Sequence, residues 1–218
     1  MMERPSPVDM QEVMADMINQ KPERQYQEML DAAIYRLQHI DLKAAAEKSG
    51  LCFGRRIAIP TFGEWVALDA ATFLSDPPID MWHHLVILQY LETADGSMPS
   101  DTWISMAELR DGGLARGASF DREIDGLIAD RLGAHPPEAI RQACGRLGGL
   151  IHENTRADLC ADFCFMPRFP LRLNLWFADD EFPACGKVLV NDGVKHRLGT
   201  EAIGTISTFL VRKLCDSL

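Results

Sequence analysis

Apolar residues recur at helical spacing at Met10, Val13, Met14, Met17 and Ile18, and again at Tyr26, Leu30, Ala33, Ile34, Leu37 and Ile40. This period predicts a short amphipathic helix over 8–19 and a longer one over 23–40, separated by the helix-breaking pair Lys21-Pro22. Asp41 is placed to cap a further short helix over 42–49, with Gly50 just past its end. Ile57 and Ile59, then Val66 and Leu68, stand at alternate positions on either side of the turn residues 60–63. That alternation predicts a β-hairpin, with Trp65 on the face opposite Val66 and Leu68.

Residues 78–93 form the most hydrophobic helical segment of the chain. Its apolar side chains cover nearly every direction around the helix, so it should be buried on most sides. Pro77-Pro78 is expected to fix its start and Ala94-Asp95-Gly96 its end. Ser119 is positioned to cap a helix through Leu132, His135-Pro136-Pro137 opens another to about Arg146, and Thr200 caps a last one carrying Ile203, Ile206, Leu210 and Leu214. Residues 159–165 and 171–176 read as strands, and 187–190 as a weaker one. Strands and helices do not alternate regularly, which argues against a doubly wound parallel sheet.

The expected architecture is therefore α+β: a single domain over 22–218, with a mixed or antiparallel sheet packed on several helices around the buried central helix at about 78–93. Residues 1–21 form an N-terminal amphipathic helix and linker.

Composition narrows the partners. The chain has 218 residues, 47% of them hydrophobic and 25% charged, which is ordinary globular composition. Its formal net charge is −10, and no basic stripe offsets it, so neither nucleic acid nor an anionic membrane surface is an expected partner. Glu3, Asp9, Glu12 and Asp16 give the first residues the wrong character for a signal peptide. The expected location is cytoplasmic. The six cysteines are scattered, as reduced thiols would be, rather than concentrated as in a disulfide scaffold.

A family resemblance enters beyond the central helix. Tyr90-Leu91-x-x-Ala94-Asp95-Gly96 is followed by Trp103-Ile104-Ser105, Glu108-Leu109 and Leu147-Gly148-Gly149. Next come Pro167-Arg168-x-Pro170 and Leu175-Trp176-x-x-Asp179-Asp180-Glu181-Phe182-Pro183, then Leu198-x-Thr200-Glu201. In that order these resemble the domain-of-unknown-function family numbered three-seven-eight-six, uncharacterised proteins largely of anaerobic bacteria. The resemblance covers roughly 30–214 and implies a setting in anaerobic metabolism, with no activity to carry over.

Candidate chemistry gathers at three places. Asp179-Asp180-Glu181, between Trp176 and Phe182, offers carboxylates for acid–base work or a hard cation, or else forms a turn whose Asp caps backbone N–H groups. His83 and His84 begin the central helix and offer an imidazole to a metal or tetrapyrrole iron, or else belong to the core. Arg168, braced by Pro167 and Pro170, suits an anionic ligand or a structural bend. Cys160-x-x-x-Cys164 is spaced about 13 Å along a strand, too far for one zinc, so no metal site is expected.

Three functions follow. The first is a non-catalytic accessory protein that binds a small ligand or cofactor, a tetrapyrrole or another carboxylated molecule. Its pocket would lie between the 78–93 helix and the 171–176 strand, with Trp176, Arg168 and the three acids at its rim. The second is a hydrolase- or lyase-type enzyme using Asp179, Asp180 or Glu181. The third is an adaptor that holds a partner protein through Met10–Ile18.

Overall fold

A computed structural model describes residues 24–109, 114–153 and 155–218. The helix expected over 8–19, and with it the Met10–Ile18 stripe, lies outside the described residues. Residues 24–38 form α1, burying Ala33 and Leu37 against the core. Asp41 then caps α2 (Leu42–Lys48) by accepting the Ala44 N–H at 3.0 Å, and Gly50 adopts φ +79° beyond its end. This is the helix stop the sequence promised.

The hairpin forms as β1 (Arg56–Thr61) and β2 (Glu64–Asp69). The turn itself is narrower than 60–63: Phe62 and Gly63 take φ of 46° and 77°, the doubly left-handed pair whose twist matches a two-residue hairpin. Pro60 stays within β1. A short β3 (Ser75–Asp76) completes a three-stranded antiparallel sheet in the order β1-β2-β3.

The central helix, α3, runs from Met81 to Glu92. Asp80 starts it rather than the double proline, its carboxylate accepting the Trp82 and His83 N–H groups at 2.9 and 3.0 Å. Six consecutive residues, His83 to Leu88, are buried, a run of more than about one and a half turns, so the helix is covered on all sides. Each apolar side chain so covered contributes roughly 1.5–3 kcal/mol.

A second sheet is antiparallel throughout, in the order β4-β8-β7-β6-β5. Its strands are β4 (Trp103–Ile104), β5 (Leu150–His152), β6 (Leu159–Met166), β7 (Phe169–Trp176) and β8 (Cys185–Asn191). β7 alternates strictly, with Phe169, Leu171, Leu173 and Leu175 fully buried. The hairpin turn is tied to this sheet, the Phe62 N–H donating to the Cys164 carbonyl at 2.7 Å.

Three further helices cover the sheet: α4 (Leu114–Arg131), α5 (Pro137–Arg146) and α6 (Thr200–Asp216). α4 begins five residues before Ser119, which lies inside the helix instead of capping it. α4 and α6 cross so closely that a Cβ added at Gly204 would sit 2.5 Å from the Phe120 ring. Thr200 does not cap α6. The cap position falls to Gly199 (φ −68°, ψ 158°), and no side chain bonds to the helix start. The fold is thus α+β with antiparallel sheets around a buried central helix. Among the described residues no helix is long and apolar enough to cross a membrane.

Candidate functional site

The eight residues singled out in the sequence fall in three separate places. His83 is 2% exposed, with Nε2 2.9 Å from the Thr61 hydroxyl and its ring 4.6 Å from that of Phe209. Burial, reinforced by the charge of Lys213, pushes its pKa down to about 4, so the ring is neutral. His84 places Nε2 2.8 Å from the Phe73 carbonyl and Nδ1 3.5 Å from the Tyr26 hydroxyl. His84 thus spends both ring nitrogens on protein partners, and His83 spends Nε2.

Arg168 and Trp176 stand at opposite ends of β7, roughly 25 Å apart along an extended strand. Trp176 donates its indole N–H to the Arg156 carbonyl at 3.1 Å. Asp179 turns one carboxylate oxygen back on the Glu181 and Phe182 N–H groups, at 2.9 and 2.7 Å. Those two bonds hold its carboxyl below the ordinary carboxylate range. Asp180, Glu181 and Phe182 are exposed, and residues 179–182 have the geometry of an Asx turn. Cys160 is buried and Cys164 half-buried; both belong to β6.

A different constellation forms around Arg197, and its members come from the motifs quoted above. Arg197 ends a 3-10 turn (Lys195–Arg197) just before α6 and is 0% exposed. Its Nη1 donates to the Tyr90 hydroxyl at 2.6 Å, and its guanidinium carbon lies 4.0 Å from the centroid of the Tyr90 ring. Nε stands 3.7 Å from Asp95 Oδ1, beyond hydrogen-bond reach. Nε and Nη2 are both buried and have no hydrogen-bond partner among the described residues. Burial lowers the pKa of Arg197, while Tyr90 and Asp95 oppose that shift. Burial likewise pushes the Tyr90 phenol up to about 12, against the pull of Arg197.

Asp95 is held by three donors. Its Oδ1 accepts the Ser97 hydroxyl at 2.6 Å and the Ser97 N–H at 2.9 Å, and Oδ2 lies 2.7 Å from His196 Nε2. The Ser97 hydroxyl is the main cause of a carboxyl pKa well below the usual range. Arg168 secures the same turn from outside, donating Nη1 to the Lys48 carbonyl at 2.7 Å and the Gly96 carbonyl at 3.3 Å. The Thr93 hydroxyl donates to the Arg197 carbonyl.

Serine, histidine and aspartate side by side suggest a nucleophilic triad, and the wiring argues against it. Ser97 gives its proton to Asp95, and the same ring nitrogen of His196 faces both Asp95 and, at 3.5 Å, Ser97 Oγ. A triad needs the imidazole to bridge acid and hydroxyl through its two different nitrogens. The cluster is built to fix Arg197 and the turn after α3.

Two cavities adjoin it. The larger, about 600 Å³, is a groove lined from α1, α3, α4 and α6, with Trp82, Phe120 and Phe209 as aromatic walls. Arg116 and Arg212 lie along its polar side, Arg116 gripping Glu201 through Nε and Nη2 at 2.5 and 2.9 Å. The smaller, about 250 Å³, is lined by Glu92, Thr93, Arg197 and residues 198 and 199 at the start of α6. Gln89, Glu201 and Ala202 line both, so the two meet along that edge. None of the eight sequence candidates lines either cavity. α3 contributes to both, and β7 to neither.

Sequence reasoning had quoted Tyr90, Asp95, Gly96, Arg168, Thr200 and Glu201 as motif residues without seeing that they converge. Arg197 itself carried one local signal, its place three residues before the Thr200-Glu201 helix start. The structure therefore defines an α+β protein with a groove between its helices and a smaller cavity, lined by a buried arginine, that shares three residues with it. The chain belongs to the family described as a domain of unknown function, DUF3786, whose model matches residues 41–213. No curated protein and no solved structure matches the chain.

Proposed function

We propose that the protein binds a small organic molecule in the groove between α1, α3, α4 and α6, as a non-catalytic ligand- or cofactor-binding protein. The observation that carries this reading is the groove itself. Its volume of about 600 Å³ falls within the range of small-molecule sites, and it joins aromatic walls to a few charged groups, the usual division between affinity and orientation. Among the described residues its charged groups are Asp80, Arg116, Glu123, Glu201 and Arg212, and Arg116 is already paired with Glu201. The accessory role in anaerobic metabolism and the cytoplasmic location implied by the sequence belong to the same proposal. A carboxylated organic molecule suits the arginine-bearing side better than a tetrapyrrole, because neither His83 nor His84 lines the groove.

The test is native mass spectrometry of the full-length protein, purified gently and then titrated with a panel of amphipathic small molecules. Thr208, half-buried on the groove wall, provides the control: Thr208→Trp fills the groove and leaves both Arg116 and Arg197 in the sequence. An added mass that disappears in Thr208→Trp is the expected result. Ligand binding that persists unchanged in Thr208→Trp would place the site elsewhere and overturn the reading.

A further inference from the structure

We infer that the smaller cavity, where Arg197 meets the N-terminus of α6, is a subsite for a singly charged anionic group, the carboxylate or phosphate-type head of the groove ligand. The inference rests on the groove being a ligand site and adds the chemistry of one end of that ligand.

Two independent features share this cavity. The first is Arg197, wholly buried yet with Nε and Nη2 unpartnered. Those two atoms form one edge of the guanidinium fork, the edge that takes a carboxylate through two parallel bonds. The same protein uses that edge twice elsewhere, Arg116 on Glu201 and Arg172 on Asp162 at 2.6 and 2.8 Å. Buried N–H groups on a charged side chain are costly to leave unpaired, and a native fold usually meets them with a ligand, an ion or an ordered water.

The second feature is the start of α6. Its first N–H groups have no intrahelical acceptor, Gly199 supplies no side-chain cap, and the Thr200 hydroxyl is also buried without a partner. An uncapped start on a 17-residue helix presents donors and a positive dipole end to an anion.

The acids nearby set the charge the site accepts. Glu92 is paired with Arg36 at 2.5 Å and Glu201 with Arg116, while Asp95 has both oxygens engaged by Ser97 and His196. Their charges are met by these partners, and Arg197 and the first residues of α6 line the cavity together. Asp95 at 3.7 Å from Nε still repels an incoming anion, so the site favours one negative charge over several. A polyphosphate does not suit it.

The experiment follows thermal unfolding of the full-length protein with sodium acetate or inorganic phosphate, each compared with sodium chloride at equal ionic strength. A saturable rise in the midpoint beyond that with chloride is expected. The larger response, to acetate or to phosphate, identifies the head group. Arg197→Gln should abolish the rise, but a buried substitution can fail to fold, so the decisive variant is Gly199→Asp. Gly199 is exposed, has an ordinary φ, and a Cβ there meets nothing within 4 Å. An aspartate at this position caps α6 with its own carboxylate. The variant should fold at least as well as wild type and bind the anion roughly tenfold or more weakly. No saturable response in wild type, or an undiminished one in Gly199→Asp, would overturn the subsite. Thr208→Trp separates the two readings: it blocks the groove alone, so an anion response that survives in it, with groove binding lost, supports both. Groove binding with no anion response sinks only the subsite. An anion response with no groove ligand sinks only the groove.

Discussion

Arg197 and Tyr90 meet twice, once through a 2.6 Å hydrogen bond and once by the guanidinium lying 4.0 Å over the ring centroid. The stack covers one face of the cation and the phenol satisfies one of its nitrogens, so a charge that would otherwise be prohibitive in a core is partly met. Tyr90→Phe keeps the stack and removes the bond, leaving a third guanidinium nitrogen unpaired. It should cost about 1.5–3 kcal/mol in urea unfolding, the range for a hydrogen bond to a charged group. A loss below about 0.5 kcal/mol would mean that water replaces the phenol and that Arg197 is less isolated than its burial indicates.

His83 makes stability depend on pH near neutrality. Its pKa in the folded state is about 4, lowered by burial and by Lys213 against the opposing Asp80 and Glu64. The unfolded chain therefore takes up a proton on this ring near pH 6.5, and the folded chain does so only near its own lower value. The contribution to stability is complete above pH 6.5 and is lost as pH falls from there towards 4. The slope approaches about 1.4 kcal/mol per pH unit for one proton. His83→Leu should flatten that part of the profile, measured as unfolding free energy between pH 4 and 7. An unchanged slope would assign the titration to His84, whose pKa burial also lowers.

Asp95 acts further into the acid range. Its folded pKa lies well below the unfolded value because the Ser97 hydroxyl and N–H and His196 stabilise the carboxylate. This contribution is present above the unfolded pKa of about 3.9 and is lost as pH falls below it. Asp95→Asn should lower stability at neutral pH and remove part of the acid transition. Equal midpoints of acid unfolding in the two proteins would show that Asp95 does not anchor this turn.

Gly204 permits the α4–α6 crossing. Gly204→Ala sets a methyl 2.5 Å from the Phe120 ring, and relief must come from Phe120 turning or α4 moving. The expected cost is about 1–3 kcal/mol of overpacking, with ligand binding in the groove weakened because Phe120 is one of its walls. A stable variant with unaltered binding would show that the crossing has slack.

The 179–182 turn separates two uses of its acids. Asp179→Ala removes the acceptor of two backbone bonds and should lower the unfolding midpoint, whereas Asp180→Asn and Glu181→Gln should leave it unchanged. If either of the latter abolished a measurable activity while the fold stayed intact, the enzyme reading would replace the binding one.

What the sequence made legible was local. The cap at Asp41, the strand at 171–176 and the all-round hydrophobicity of α3 each depend on a few neighbouring residues. Thr200 misled because a threonine before glutamate looks like a cap, while the backbone leaves its extended conformation one residue earlier, at Gly199. Ser119 misled differently, since α4 already starts at Leu114 and the serine lies inside it. Arg197 escaped altogether. Its burial depends on Tyr90, 107 residues away, and no pattern within a helix turn or a strand reports such a partner. His83 and His84 stood out by residue type alone, and the partners that occupy them come from β1, α1 and the segment before α3.

The bonds that fasten the Arg197 cluster bridge long stretches of chain: 107 residues from Tyr90 to Arg197, 101 from Asp95 to His196 and 120 from Lys48 to Arg168. Closing such loops is slow compared with forming a helix or a hairpin, and it rewards the chain only once both ends are in place. During synthesis the helices and the hairpin can form as they emerge, yet the buried cation has no seat until its own turn has left the ribosome. A nascent chain stalled before residue 197 would lack both the buried cation and α6, whose Ile203, Ile206, Leu210 and Leu214 belong to the core, so the Tyr90 ring would wait uncovered until the last helix arrives.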